Sequence, residues 1–297
     1  MWDELEFAFA LIVSGLLIGL MYSLIALGFV LIYKATDAIN FAQGEFVMLA
    51  GFMATTVLAA ELPVWVAIAA AILGMIAFSF ALERAVLRPL LGRPAVAVIM
   101  ATIGLANILR GLPPITVGAQ TRALPLPIGD DPIFVWSAVI PPIQLVGVIV
   151  SIVFLGVFTV FFLKSRMGIA LRAVADNQQV AMAMGINVER YFGIAWAMAG
   201  IVSALGGIIW GSMLGVDTQL ALIGLKVFPV VILGGLDSIV GAVVGGLIVG
   251  VVESLAAGYL DPYVGGGTKD FAPYVLMIIT LMFKPYGIFG TRRIERV

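Results

Sequence analysis

The sequence contains neither cysteine nor histidine, and charged residues make up only 11% of it. Without cysteine there can be no disulfides, thiol nucleophiles or thiolate zinc sites, and without histidine no imidazole acid-base chemistry. A net charge of −1 supplies no basic patch to neutralise phosphates, so no nucleic-acid partner is expected. A nucleotide-cradling loop is also missing. The nearest imitation, GGGTKD at 265–270, lacks the Gly-Lys-Ser/Thr order and follows a loop rather than a strand. Serial buried carboxylates of the kind a proton pump needs are not found. No catalytic residue, metal site or bound cofactor is expected in this chain.

Apolar residues are what the chain has in excess: 62% of it is hydrophobic and the mean hydropathy is +1.17. That is more apolar surface than a soluble core of 297 residues could hide. Unbroken apolar runs of roughly 17 to 25 residues match a ~30 Å hydrocarbon slab, and continuous rather than alternating runs favour helices over a barrel. The runs fall at 8–32, 41–60, 64–82, 95–111, 142–163, 191–212, 219–236, 238–257 and 271–284. The expected fold is a single all-α, polytopic bundle spanning 1–297, with about eight to ten membrane segments. The glycine-rich pieces VILGG and GAVVGGLIVG, separated by LDS, are candidates for broken or re-entrant helices. The acidic start MWDELEFAFA leads into an apolar run with no cleavage pattern, which reads as a span and not a signal peptide.

Basic residues give a sidedness. Lys34, Arg84, Arg88, Arg93, Lys164, Arg166, Arg172, Arg190, Lys284, Arg292, Arg293 and Arg296 fall in loops on one side, which marks it as cytoplasmic. Arg110, Arg122 and Lys269 fall on the other, with Asp3, Glu4, Glu6, Glu61, Asp130, Asp131, Asp261 and Asp270. The N-terminus is then external and the C-terminus cytoplasmic. The proline-rich connection 112–141 is expected to form a stiff, non-helical external cover.

The long cytoplasmic insert, 164–190, is the one stretch written for water. Asp176 and Gln179 have capping-box spacing and Gly185 suits a left-handed helix stop, which predicts a short helix over 177–184. An upstream piece, Ile169 to Ala175, presents Leu171 and Val174 opposite Arg172. Such a short helix cannot persist alone in water and needs a surface. The plain reading is an amphipathic helix on the bilayer or on its own helix ends. Val180, Ala181 and Met184 give the helix a small apolar face, and the functional reading is a docking helix that enters a groove on a cytosolic partner, with Met182 and Met184 as adaptable apolar fillers.

Five stretches together resemble one family. INFAQGEFVMLAGF (39–52), MATIGLANILRGL (100–112), GIALRAVADNQQVAMAMGI (168–186), VILGGLDSIVGAVVGGLIVGVVES (231–254) and FKPYGIFG (283–290) are similar, in order, to the H-type permeases of branched-chain amino-acid ABC importers. The resemblance implies an inner-membrane subunit without chemistry of its own. It also implies a second homologous permease, two cytosolic ATPases that bind ATP-Mg, and an external solute-binding protein. The solute would be a branched-chain or neutral amino acid, or a related small amide. Under the same resemblance Arg172, Asp176, Gln179, Val180, Met184 and Gly185 couple to the ATPases.

Several intramembrane residues have two readings. Lys226 and Glu253 each cost ~2.5–3.5 kcal/mol on insertion scales, which makes them candidates for the path or an outer gate, paired with each other. Otherwise Lys226 snorkels outward and Glu253 is structural. Asn40 and Gln43 have capping-box spacing and Glu45 complements the helix dipole, while Gln43 and Glu45 are also candidates for lining an inner exit. Thr102 and Asn107 must find partners across a helix contact or in a wet cavity. Pro229 is expected to kink or break its segment, freeing carbonyls for protein or solute. Gly15 and Gly19, Gly207 and Gly211, Gly241 and Gly245, and Gly246 and Gly250 have G-x-x-x-G spacing and read as helix packing more than solute contact. Two rival functions remain open at this point: an ion-coupled secondary transporter using Lys226, Glu253 and Glu45, and a passive channel or structural membrane scaffold.

Overall fold

The computed structural model describes residues 2–90, 92–129 and 131–291, without the side chains of Trp2 and Asp3. Asp130, Arg292, Arg293, Arg296 and the Asp3 carboxylate therefore lie outside the described residues. Each of the nine apolar runs is helical along most of its length, and the fold is an all-α polytopic one. Among the described residues six helices are long and apolar enough to cross a membrane. They are α1 (Trp2–Thr36), α3 (Val64–Leu82), α4 (Ala95–Thr116), α5 (Pro142–Lys164), α8 (Val188–Leu214) and α10 (Ile239–Tyr259). The apolar helices α2 (Gln43–Ala59) and α9 (Leu222–Gly234) are shorter.

The chain divides into two compact units, each drawn from separated stretches. One comprises Met1–Ala26, Ile128–Ile152 and Lys226–Val297. Its seam is made by glycine. Gly15 and Gly19 of α1 lie against Gly250 and Gly246 of α10, so close that a Cβ on Gly250 would stand 2.7 Å from the Gly19 Cα. Further along α10, Gly241 and Gly245 meet Gly234 and Val230 of α9. Backbones in such contact gain dispersion energy that lipid tails cannot match. α9 continues through Pro229 without a break. The unit also holds a hairpin, β1 (Ile133–Val135) with β2 (Ala138–Ile140), and the helices α11 (Asp261–Val264) and α12 (Thr268–Phe283). Between α11 and α12 the chain turns through Gly265, Gly266 and Gly267, all at positive φ. The Thr268 backbone N–H donates to Asp261 Oδ1 at 2.8 Å. The Thr268 hydroxyl bonds the same carboxylate, and together these hold the Asp261 carboxyl below its usual range.

The other unit comprises Leu27–Pro127 and Val153–Leu225. Here α2, α3 and α8 interlock around buried Phe46, Met75 and Trp196, with the Phe46 ring 5.7 Å from Phe78 and 6.0 Å from Trp196. Gly200 of α8 lies against Met75 and Ser79 of α3, and Gly207 of α8 against Val47 and Ala50 of α2. Gly211 meets Val216.

The proline-rich connection differs from expectation at its start. α4 runs on through Pro113 and Pro114 to Thr116, where 112–141 reads as non-helical. Pro113 and Pro114 fall within the last four residues of the helix, so the two bonds they remove, to the carbonyls of Leu109 and Arg110, leave the earlier turns intact.

Candidate functional site

Three polar side chains, Asn40, Gln43 and Glu45, are buried at the start of α2. α1 passes Gln43 at Gly28, where a Cβ would collide with the Gln43 amide, and continues to Thr36. The chain then reverses at Asp37, which takes a left-handed conformation (φ 56°) that aspartate tolerates better than most residues. The Thr36 hydroxyl accepts from the Ala38 N–H at 3.1 Å inside this turn. Residues 38–42 climb back alongside α1 with Ala38, Asn40 and Ala42 buried. Gln43 is fully buried and donates through Nε2 to Ser203 Oγ at 3.0 Å. Ser203 lies near the middle of the Val188–Leu214 helix, so α2 begins level with the interior of the bundle and not at its edge.

This corrects one expectation. Asn40 and Gln43 do not form a capping box: the N-cap position is Ala42, with no side-chain cap bond. Asn40 Oδ1 instead accepts from the Ala42 N–H at 3.1 Å, a local turn that competes with capping, and its amide donates to Gln43 Oε1 at 3.4 Å. Glu45 lies in the first turn of α2, where its charge complements the helix dipole as expected. It is 2% exposed and bonds Arg110 at 2.5 Å, so Arg110, read from sequence as an external-side charge, is the partner of a buried carboxylate. Thr102 joins the same region, its hydroxyl accepting from the Phe41 N–H at 3.3 Å and donating to its own helix at Ile99 O, 2.9 Å away. Asn107 lies on the exposed face of α4 and donates to Ile103 O at 2.9 Å within its own helix, not across a helix contact.

In the other unit Lys226, Tyr22 and two acids form a network. The expected pair is present, with Lys226 Nζ 3.7 Å from Glu253 Oε1, but Asp270 is nearer at 2.7 Å. Tyr22 donates to Glu253 Oε1 at 3.3 Å. Glu253 Oε2 is buried with no hydrogen-bond partner among the described residues. Removing the cation therefore strands a buried carboxylate. Lys226→Met is expected to destabilise the purified protein by about 1–3 kcal/mol, below the fully buried range because Lys226 is 33% exposed. The double variant Lys226→Met/Glu253→Gln is expected to recover most of that loss in a thermal unfolding series, and a double variant no more stable than Lys226→Met would rule out the pairing.

The polar insert folds as two helices, α6 (Arg166–Asp176) and α7 (Gln178–Ala183). Asp176 is not the cap of the second helix. Asn177 is, its Oδ1 accepting from the Val180 N–H at 3.0 Å, and the first helix is capped by Ser165 on the Gly168 N–H at 2.8 Å. Gly185 takes the expected left-handed conformation (φ 81°). One side of the insert is seated on helix ends of its own unit. Leu171 and Val174 are buried, and they line a small cleft together with Leu31, Lys34, Ala35, Phe162, Tyr191 and Ala195. Val174, Ala181 and Val188 pack together. Gln178 donates to Ala35 O at the end of α1, at 3.0 Å. Arg172 donates to Leu163 O at 3.2 Å and lies over the Phe162 ring at 5.7 Å, so it holds the insert to α5. The other side is bare: Val180, Met182 and Met184 are 58%, 56% and 78% exposed, beside exposed Asp176 and Gln179.

Sequence reasoning missed several partners. A π turn at Glu83–Leu87 ends α3, and completely buried Glu83 receives two bonds from Arg88, at 3.1 and 3.0 Å, while Arg88 also reaches Glu189 at 3.2 Å. The five-residue spacing of Glu83 and Arg88 is the signal, since it suits a π turn better than an α turn. Arg110, Ser203, Tyr22 and Asp270 gave no local sign. Among the described residues no group of three or more acids could hold a metal ion.

Comparison with known proteins places these features. The family described as the permease component of branched-chain amino acid transport systems matches residues 11–283. The high-affinity branched-chain amino acid permease LivH of Salmonella typhimurium is 32% identical over 96% of this chain and 96% of its own. BraD of Pseudomonas aeruginosa, described in the same terms, is 31% identical over 96% and 97%. A probable branched-chain amino acid permease of Methanocaldococcus jannaschii is 33% identical over 95% and 90%. Among solved structures, PsaBC from Streptococcus pneumoniae in complex with Fab shares the fold with a TM-score of 0.51, 11% identity and coverage of 93% and 92%.

Proposed function

The chain belongs to the permease-component family of branched-chain amino acid transport systems, and from that premise we propose that it moves branched-chain or related neutral amino acids by ATP-driven alternating access. As a member it is a multi-pass membrane permease and a transport subunit, not an enzyme. In the proposed assembly it acts as one permease domain in a bacterial inner membrane, with its N-terminus external and its C-terminus cytoplasmic. It pairs there with a second homologous permease. Two cytosolic ATPases bind ATP-Mg, and an external solute-binding protein delivers the amino acid. Gln43, Glu45, Thr102, Lys226, Pro229 and Glu253 are proposed to line or gate the path, with Asn107 on the exposed face of α4.

The observation that carries the proposal is the two-sided insert. Its inner side grips the ends of α1 and α5 and the start of α8, while its outer side offers Val180, Met182 and Met184 unpaired to solvent. Exposed methionine on a short helix suits docking into a groove, because the flexible thioether fills irregular space. A push on that helix would pass to three helix ends. A bilayer-surface role would bury these side chains in lipid but leave the grip on three helices without a use.

The proposal separates from ion coupling by energy source. In cells carrying the complete system, labelled leucine uptake is expected to fall to background when the ATPase subunits are removed and to survive a protonophore while ATP is maintained. Uptake that outlives the ATPases and collapses with the protonophore would establish the ion-coupled reading instead.

A further inference from the structure

We infer that the Arg110 guanidinium is the receptor for the carboxylate of the amino-acid solute, an inference that rests on the permease reading above. A guanidinium has five N–H donors in a planar fork. Among the described residues Arg110 spends one nitrogen, Nη2, on Glu45, and its side chain remains 43% exposed. The residue lies within a membrane-crossing helix, on a face with Ile103 and Asn107 also exposed. Hydrocarbon cannot satisfy the remaining donors, and intramembrane arginines face a wet cavity or a polar partner. A carboxylate is the group whose two oxygens match the fork.

The surroundings fit the rest of an α-amino acid. Pro113 and Pro114 lie within α4 and carry no N–H, so the carbonyls of Leu109 and Arg110 lose their ordinary helical donors and are left as acceptors for an ammonium group. Glu45 serves two purposes. Its buried carboxylate fixes the guanidinium, and it lowers the net charge the solute meets, so that binding stays weak enough for release.

The test uses the complete complex in proteoliposomes, with labelled leucine delivered by the binding protein. Arg110→Lys keeps a cation for Glu45 but removes the fork, and is expected to raise the apparent KM for leucine about 10-fold with ATPase assembly unchanged. The neutral pair Glu45→Gln/Arg110→Gln is expected to lose leucine uptake by at least ~10-fold. A pair with only a structural role would tolerate that neutral exchange. Wild-type KM in Arg110→Lys, or wild-type uptake in the neutral pair, overturns the inference and leaves the permease reading standing. If the neutral pair alone fails to recruit the second permease while Arg110→Lys keeps a normal KM, Arg110 belongs to a subunit contact and the inference fails. Absence of leucine uptake by the wild-type complex overturns both readings.

Discussion

Gly250→Leu is expected to prevent the chain from reaching its folded form in the membrane. The Gly250 Cα faces Gly15 and Gly19 of α1 across a contact with no room for a side chain, and a Cβ there would stand 2.6 Å from the Gly19 nitrogen. The obstacle is backbone on a long helix, which cannot rotate away as a side chain could. Overpacking in a soluble core costs ~1–3 kcal/mol; here the whole helix pair must separate, so a loss of at least ~3 kcal/mol is expected. Gly156→Ala on α5 is the matched control, since no atom lies within 4 Å of its added methyl group. Detergent-solubilised yield and thermal unfolding check both. Wild-type stability in Gly250→Leu would mean that the α1–α10 seam is not as close as described.

The second large effect is expected at the insert. Val180→Asp/Met184→Asp places two charges on the bare side of α7 without disturbing Ala181, which is buried on the other. Apolar anchors at the centre of an interface commonly contribute 2 kcal/mol or more each. The double variant is therefore expected to lower co-purification of the ATPases by ~100-fold while the permease itself still inserts and unfolds at its normal temperature. Gln178→Ala acts on the opposite side. It removes the bond to Ala35 at the end of α1, so ATPase binding should persist.

Both expectations draw on features of unequal visibility in the sequence. α1, α5 and α10 announce themselves, because a long apolar run in lipid has no alternative to a helix. The α1–α10 seam was also visible, as glycines at four-residue spacing on two such runs. The insert was visible as the one polar interruption, but not its caps. Asp176, Asn177 and Ser165 are all good capping residues, and only the path of the chain selects Asn177 and Ser165.

The deep start of α2 was hidden for a different reason. Hydropathy reports what is apolar, not how far into a bundle a helix begins, and Asp37 reverses the chain without any glycine or proline to mark the turn. Once α2 starts at the level of Ser203, Glu45 can reach Arg110. A loop-based assignment of charges to the two sides could not find that partnership, because it places the two residues at opposite ends of their segments. Lys226 and Glu253 were recognised as costly and pairable, yet Asp270 became the nearer partner through the packing of α12, which no local pattern encodes.

The central claim is that a permease with no nucleotide site of its own is moved through the 164–190 insert by hydrolysis on another subunit. Leucine transported per ATP hydrolysed, measured in proteoliposomes for the wild-type complex and for Val180→Asp/Met184→Asp with the ATPases supplied in excess, tests it most directly. The account predicts that hydrolysis continues at the basal rate while leucine accumulation falls to background. Undiminished, ATP-dependent accumulation in the double variant would contradict it.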